Sequence, residues 1–236
     1  MQTIGKVRLG VTKKKLRGVQ WDELRRHLGK VEKPARYIGG EINSQPKPLG
    51  EIDITFALAF PDVYEVGMSH LGSQILYSVL NSRTDIACER VYAPWLDMES
   101  LIREKGWTLF SVENRLPLCT FDIVGFSLQY ELTYTNVLMM LDLGGIPLRS
   151  HDRGIGDPLV IAGGPCAMAA EPIADFIDAF ALGDGEELAL DISYAYKEWK
   201  HSKGSRKDLL TSISSINGVY VPSLYNISYN DDGTIA

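Results

Sequence analysis

The residues with chemistry to offer fall into four short clusters: Asp62-Val63-Tyr64-Glu65-Val66-Gly67, Ser127-Leu128-Gln129-Tyr130-Glu131, Gly163-Gly164-Pro165 and Gly183-Asp184-Gly185-Glu186-Glu187. The first places a carboxylate, a phenol and a glycine at D-x-Y-x-x-G spacing, a set able to orient a ligand through hydrogen bonds. Gly163 and Gly164 let a backbone turn sharply or lie flat against a planar ligand. A tight strand-to-helix turn with no ligand explains the same pair. Glu186 and Glu187 offer carboxylates to a metal, but acidic residues in a first helical turn more commonly complement the helix dipole.

Other chemistries lack their residues. Neither G-x-x-x-x-G-K-S/T nor G-x-G-x-x-G follows a strand-like run, so no loop carries a phosphate signature. Ser127 and Cys166 sit at strand ends, yet no histidine is placed by motif to activate either as a nucleophile. His70 and His151 have no spaced histidine or cysteine partner and read as surface or capping residues. Cys88, Cys119 and Cys166 form no C-x-x-C pair and no C-x-x-x-C-x-x-C cluster, which leaves zinc and iron–sulfur centres unsupported. They read as reduced, mostly buried thiols of a cytoplasmic protein.

The elements that must position these clusters follow from hydrophobic patterning. With 45% hydrophobic and 23% charged residues, the 236-residue chain can build a core without disulfides or a structural metal. A net charge of −6 argues against non-specific nucleic-acid binding. The basic stretch Lys13–Arg26 reads as a solvated helix face. There is no apolar run of signal-peptide or transmembrane character.

Near-continuous apolar runs bounded by turn residues predict strands at Ile52–Phe60, Glu89–Tyr92, Ile123–Gln129, Leu159–Ala162 and Ala179–Leu182. Helical spacing predicts helices at Lys15–Leu28, Ser69–Asn81, Trp95–Lys105, Leu132–Leu143 and Glu186–His201, with a helical turn at Pro172–Phe176. Ser69 is the expected N-cap of its helix. Five alternating units predict an α/β fold: a Rossmann-like or flavodoxin-like doubly wound parallel sheet of five strands, order 2-1-3-4-5. In that topology all four clusters meet at the carboxyl edge of the sheet. Residues 1–50 read as a helix and arm, 51–205 as the sheet domain and 206–236 as a linker. The segment Val219-Tyr220-Val221 has β-like alternation, with no partner element after it.

Beyond these patterns the chain resembles the N-terminal part of cobalamin (B12)-binding-domain radical SAM proteins, in a largely uncharacterised bacterial subgroup. The resembling blocks are K-P-A-R-Y-I-G-G-E-I-N-S, A-F-P-D-V-Y-E-V-G-M-S-H-L-G, E-R-V-Y-A-P-W-L-D-M-E, D-I-V-G-F-S-L-Q-Y-E-L-T-Y-T-N-V-L, I-A-G-G-P-C-A and G-D-G-E-E. The resemblance implies a cobalamin-binding domain over 51–205. Its cofactor-binding residues would be Asp62, Tyr64, Glu65, Gly67, Met68, Ser69, His70, Ser127, Leu128, Gln129, Tyr130, Glu131, Gly163, Gly164, Pro165, Gly183, Asp184, Gly185 and Glu186. It further implies a radical SAM barrel in cis, after the linker, to hold the 4Fe–4S cluster and S-adenosylmethionine. This chain lacks the three-cysteine cluster motif and by itself would not be catalytic.

One position departs from the pattern. Many corrinoid-binding domains carry D-x-H-x-x-G after the first strand, with the histidine on cobalt; here Tyr64 stands in the histidine position. A phenol with pKa near 10 is a poor cobalt ligand at neutral pH. Two further readings stay open beside the cobalamin one. The fold could serve as a substrate- or domain-docking module, with Tyr64, Gln129, Tyr130 and Glu131 filling the ligand space. It could also bind a flavin or nucleotide, a reading weakened by the missing phosphate loop.

Overall fold

The protein was described from a computed structural model covering residues 17–226 and 228–234. The apolar runs form the strands that their texture predicts. β1 (Ile54–Phe60), β2 (Ile86–Tyr92), β3 (Ile123–Ser127), β4 (Leu159–Gly163) and β5 (Ala179–Ala181) lie parallel in the order β2-β1-β3-β4-β5. A sixth strand, β6 (Val219–Tyr220), adds to β5 antiparallel. Its partner precedes it in the chain, so alternation alone could not reveal the pairing.

The helices are α1 (Trp21–His27), α2 (Tyr64–Ser69), α3 (Leu71–Asn81), α4 (Leu96–Lys105), α5 (Tyr134–Gly144), α6 (Gly185–Ser202) and α7 (Arg206–Ser214). Side chains alternate across the sheet, giving it two buried faces. Ala57, Ala59, Val124, Phe126, Val160 and Phe180 pack with α1, α4 and α5. Ile54, Phe56, Leu58, Ile123 and Ile161 pack with α3, α6 and α7. Burying each large side chain contributes about 1.5–3 kcal/mol, which makes this two-sided core the main stabilising term.

Several boundaries differ from expectation. β2 begins at Ile86, because Ile86, Ala87 and Cys88 pair with β1. Ser69 ends α2; its hydroxyl donates to the carbonyls of Glu65 and Val66, which leaves His70 to cap α3. One 3-10 turn, Glu131–Thr133, precedes α5 and delays its start to Tyr134. Leu24 and Leu28 are buried, as the spacing of the first helix requires. The first helix, expected from Lys15, begins at Trp21, and Arg17 instead bridges to Trp107. Lys13–Leu16, of the basic patch and the expected helix start, lie outside the described residues, as do Ile227, Ile235 and Ala236.

Residues assigned to a linker by their polarity form α7, closed by a Ser205–Asp208 capping box, and β6. Asp178, just before β5, anchors α7. Its Oδ2 accepts from Arg206 Nη2 at 2.8 Å, Arg153 Nη1 at 3.0 Å and Val160 N at 2.8 Å.

The outer edge of β2 is closed by side chains and one backbone N–H. Asn81 bonds both the N–H and the carbonyl of Cys88 at 3.0 Å. Arg90 N–H donates to Glu113 Oε2 at 2.8 Å, and the Arg90 carbonyl accepts from Val112 N at 2.9 Å. Lys47 Nζ, from the arm before β1, donates to the Ile86 carbonyl at 2.6 Å. No helix among the described residues is long and apolar enough to cross a membrane.

Candidate functional site

The four clusters do gather at the carboxyl edge of the sheet, but they divide between two tasks. Beyond β1 the chain enters α2 within four residues, so the D-x-Y stretch is mostly helix rather than loop. Asp62 Oδ1 accepts from Val63 N at 2.7 Å, and Oδ2 accepts from the Tyr130 hydroxyl. Asp62 thus ties the turn after β1 to the turn after β3. Asn136 adds a parallel tie, donating to the Pro61 carbonyl at 2.9 Å.

Tyr64 faces the arm. Its hydroxyl donates to Glu41 Oε1 at 2.7 Å, and Glu41 Oε2 pairs with Arg90 Nη2 at 2.9 Å. Its ring meets Tyr92 edge-on at 5.3 Å. Burial, reinforced by the Glu41 carboxylate, pushes the Tyr64 phenol up to about 12. The phenol is therefore protonated at neutral pH. The space beside it measures about 20 Å³, room for roughly one water.

Glu65 pairs with Arg36 at 2.8 Å and Lys33 at 3.1 Å, also from the arm, and the Arg36 hydrogen bond holds its carboxyl down at about 2. Met68 packs with Phe60, Tyr92 and Val112. Gly67 is required by packing alone, since an added Cβ would lie 2.5 Å from the Tyr92 ring.

The second task is a cavity of about 280 Å³ between the sheet and helices α3 and α6. Its floor is Phe56, Leu58, Gly125, Ile161 and Ala181, and its walls are Gly72 and Leu76 on α3 and Ala189 and Ile192 on α6. The expected residues His70, Ser127, Gln129, Gly163, Gly164, Pro165, Gly183, Gly185 and Glu186 form its rim. Asp62, Tyr64, Glu65, Gly67, Met68, Ser69, Leu128, Tyr130, Glu131 and Asp184 do not line it. Leu128 is fully buried in the core of the opposite sheet face, and Asp184 stands at the N-cap of α6. Of the side chains expected to fill the ligand space, only Gln129 reaches the cavity, where its Nε2 donates to Ser127 Oγ at 2.8 Å.

The two rim glycines have different causes. Gly164 has φ +103°, and a Cβ there would sit 2.7 Å from the Leu128 carbonyl oxygen. The turn demands glycine whether or not a ligand is present. At Gly163 a Cβ would meet nothing closer than Ala181 O at 3.5 Å, so local packing does not require a glycine there.

Sequence reasoning missed the floor and walls, because Phe56, Leu58, Leu76, Ile161 and Ile192 look like any core residue. Gly125 was the available signal. A glycine inside a buried strand often marks close approach of another group, and its absent Cβ would lie 2.8 Å from the Phe56 ring.

Among the described residues Glu186 is the only carboxylate on the lining, and no described lysine or arginine joins it. Among the described residues no three His, Cys, Asp or Glu side chains gather to hold a metal. Burial raises the Cys166 thiol, which weakens it further as a nucleophile. The cavity is thus a largely apolar slot with polar groups and one carboxylate at its rim, the usual make-up of a small-molecule pocket.

A family model described as "Radical SAM proteins, N-terminal" matches residues 72–222, more than half of the chain. No curated protein matches it.

Proposed function

The chain belongs to the N-terminal family of radical SAM proteins, and on that premise we propose that it is a corrinoid-binding domain serving a radical SAM enzyme. The observation that carries this reading is the cavity of about 280 Å³ at the carboxyl edges of β1, β3, β4 and β5. Its size lies near the lower end of small-molecule pockets, about 300–1,000 Å³.

The residues present fit one part of a corrinoid and not another. A flat heterocyclic base suits the apolar slot floored by Phe56, Gly125 and Ile161, with Ser127, Gln129 and Gly163 at its mouth. A protein nitrogen on cobalt from the D-x-Y stretch does not fit, because position 64 is a protonated phenol committed to Glu41. When bound, a corrinoid supplies a cobalt centre able to carry a methyl group or an electron pair. The residues of the lining would bind, orient and shield it. In this reading the 4Fe–4S cluster and S-adenosylmethionine belong to a barrel in cis, and the domain works in the cytoplasm.

A docking module without corrinoid is the second reading. Leu71 at the start of α3, and Leu132 and Met168 on the turns after β3 and β4, are 67%, 86% and 78% exposed, an apolar rim suited to a protein partner. A flavin or nucleotide is less well served, since a phosphate would meet Glu186 and no cation on the lining.

Equilibrium dialysis of the folded chain against hydroxocobalamin, with the visible spectrum recorded, separates these readings. A stoichiometric complex with a shifted spectrum is expected. A folded protein that retains no corrinoid would leave the docking module standing.

A further inference from the structure

We propose that His70 is the side chain through which the cavity recognises its ligand, donating Nε2–H to an acceptor on a neutral, flat heteroaromatic ring. His70 lies at the junction of α2 and α3 and lines the cavity. As N-cap of α3, its Nδ1 accepts from the Ser73 backbone N–H at 3.1 Å and lies 3.0 Å from Ser73 Oγ. A ring nitrogen that accepts a hydrogen bond carries no proton, so the neutral imidazole bears its proton on Nε2. Nε2 has no hydrogen-bond partner among the described residues.

The ring is held in place. Phe60 packs against it at 5.3 Å between centroids. Gly72 leaves it room, since a Cβ there would lie 2.9 Å from His70 Cε1.

This arrangement makes His70 a donor and not a metal ligand. Coordination through Nε2 would move the proton to Nδ1, where it would confront the Ser73 N–H. The rest of the lining narrows the ligand class. Ser127 Oγ accepts from Gln129 and retains its own proton to donate. No cation on the lining compensates a phosphate, and Glu186 repels one. A ring nitrogen or ring carbonyl answers both donors. The assignment to a corrinoid rests on the reading above: the lower base of cobalamin, detached from cobalt, is a ring of this kind with one free acceptor nitrogen.

The test uses this chain and its His70→Asn variant, which keeps a capping oxygen for Ser73 N–H but presents no Nε2–H. Unchanged circular dichroism establishes that the variant is folded. In the nitrogen-15 imidazole spectrum of the free protein, a protonated Nε2 and an unprotonated Nδ1 are expected for His70; the reverse tautomer overturns the proposal.

Both proteins are then titrated with hydroxocobalamin and with cobinamide, which lacks the base. His70→Asn is expected to weaken hydroxocobalamin about 3- to 10-fold, the loss of one hydrogen bond, and to leave cobinamide unchanged. Hydroxocobalamin held equally by both proteins overturns the His70 role while leaving corrinoid binding intact. If the wild type binds neither corrinoid, the corrinoid reading fails and 5,6-dimethylbenzimidazole becomes the probe. Binding that moves the His70 Nε2 signal then sustains the proposal, and no movement overturns it.

Discussion

The Tyr64 hydroxyl and the Glu41 carboxylate stand 2.7 Å apart, and this bond turns the histidine position of a D-x-H-x-x-G pattern towards the arm. Tyr64→Phe should therefore leave the visible spectrum of bound hydroxocobalamin unchanged. It should destabilise the fold by about 0.5–1.5 kcal/mol, the worth of one hydrogen bond. Urea denaturation and an absorption spectrum of the loaded variant check both halves. A spectral change would return Tyr64 to the cobalt.

The same bond has a pH signature. The Tyr64 phenol is raised from 10.0 to about 12, first by burial and then by Glu41. Below pH 10 it is protonated in both states and its contribution to stability is complete. Between pH 10 and 12 only the unfolded chain ionises, so stability falls as pH rises. The urea midpoint of the wild type should decline more steeply over this window than that of Tyr64→Phe. Parallel curves would contradict the raised value.

The adjacent glycines of the β4 turn should separate under substitution. Gly164→Ala forces a Cβ to 2.7 Å from the Leu128 oxygen at φ +103°, a loss of about 1–3 kcal/mol in thermal or urea unfolding. Gly163→Ala meets ordinary contact distances and should keep its melting temperature within a few degrees. Its effect should appear instead in hydroxocobalamin affinity, because the added methyl stands at the cavity rim.

Asp178 joins Arg153 and Arg206 where all three side chains are largely withdrawn from water, at 1%, 0% and 11% exposure. Asp178→Ala removes the carboxylate that two guanidinium groups share, leaving them with backbone carbonyls alone, and should cost about 3–5 kcal/mol in urea unfolding. The exposed pair Arg149–Asp175 provides the contrast, with Arg149→Ala expected within about 1 kcal/mol of wild type.

The fold was legible because its strands are short apolar runs with glycine or proline at their ends. The runs F-D-I-V-G-F-S and P-L-V-I-A-G-G-P could be read as strands buried on both faces, and strand order followed from the alternation with helices. What stayed hidden depended on contacts distant in sequence. β6 is two residues long and takes its meaning from Phe180 and Ala181. The expected cap at Ser69 falls one residue short, whereas the reading of His70 as a surface or capping residue holds, since His70 caps α3 through a ring nitrogen.

The site was half legible for a related reason. Turn residues such as Gly163 and Ser127 announce themselves, and they form the cavity rim. The direction of a side chain does not appear in its spacing. Tyr64, Glu65 and Met68 sit in the same motif as His70, yet they turn to Glu41, Arg36 and Phe60, residues of the arm and of β1. The helical geometry of α2 decides this, and D-x-Y-x-x-G is compatible with either a helix or an extended loop.

The closed flank of β2 bears on how the molecule meets others. Asn81, Glu113, Val112 and Lys47 occupy backbone groups at Cys88, Arg90 and Ile86 that an incoming strand would need. The opposite flank ends in the two-residue β6. Unprotected flanks of sheets template aggregation and strand exchange, and β-augmentation is a common mode of recruitment. The flank at β2 is thereby closed to an added strand, and a macromolecular partner finds exposed apolar side chains instead at Leu71, Leu132 and Met168.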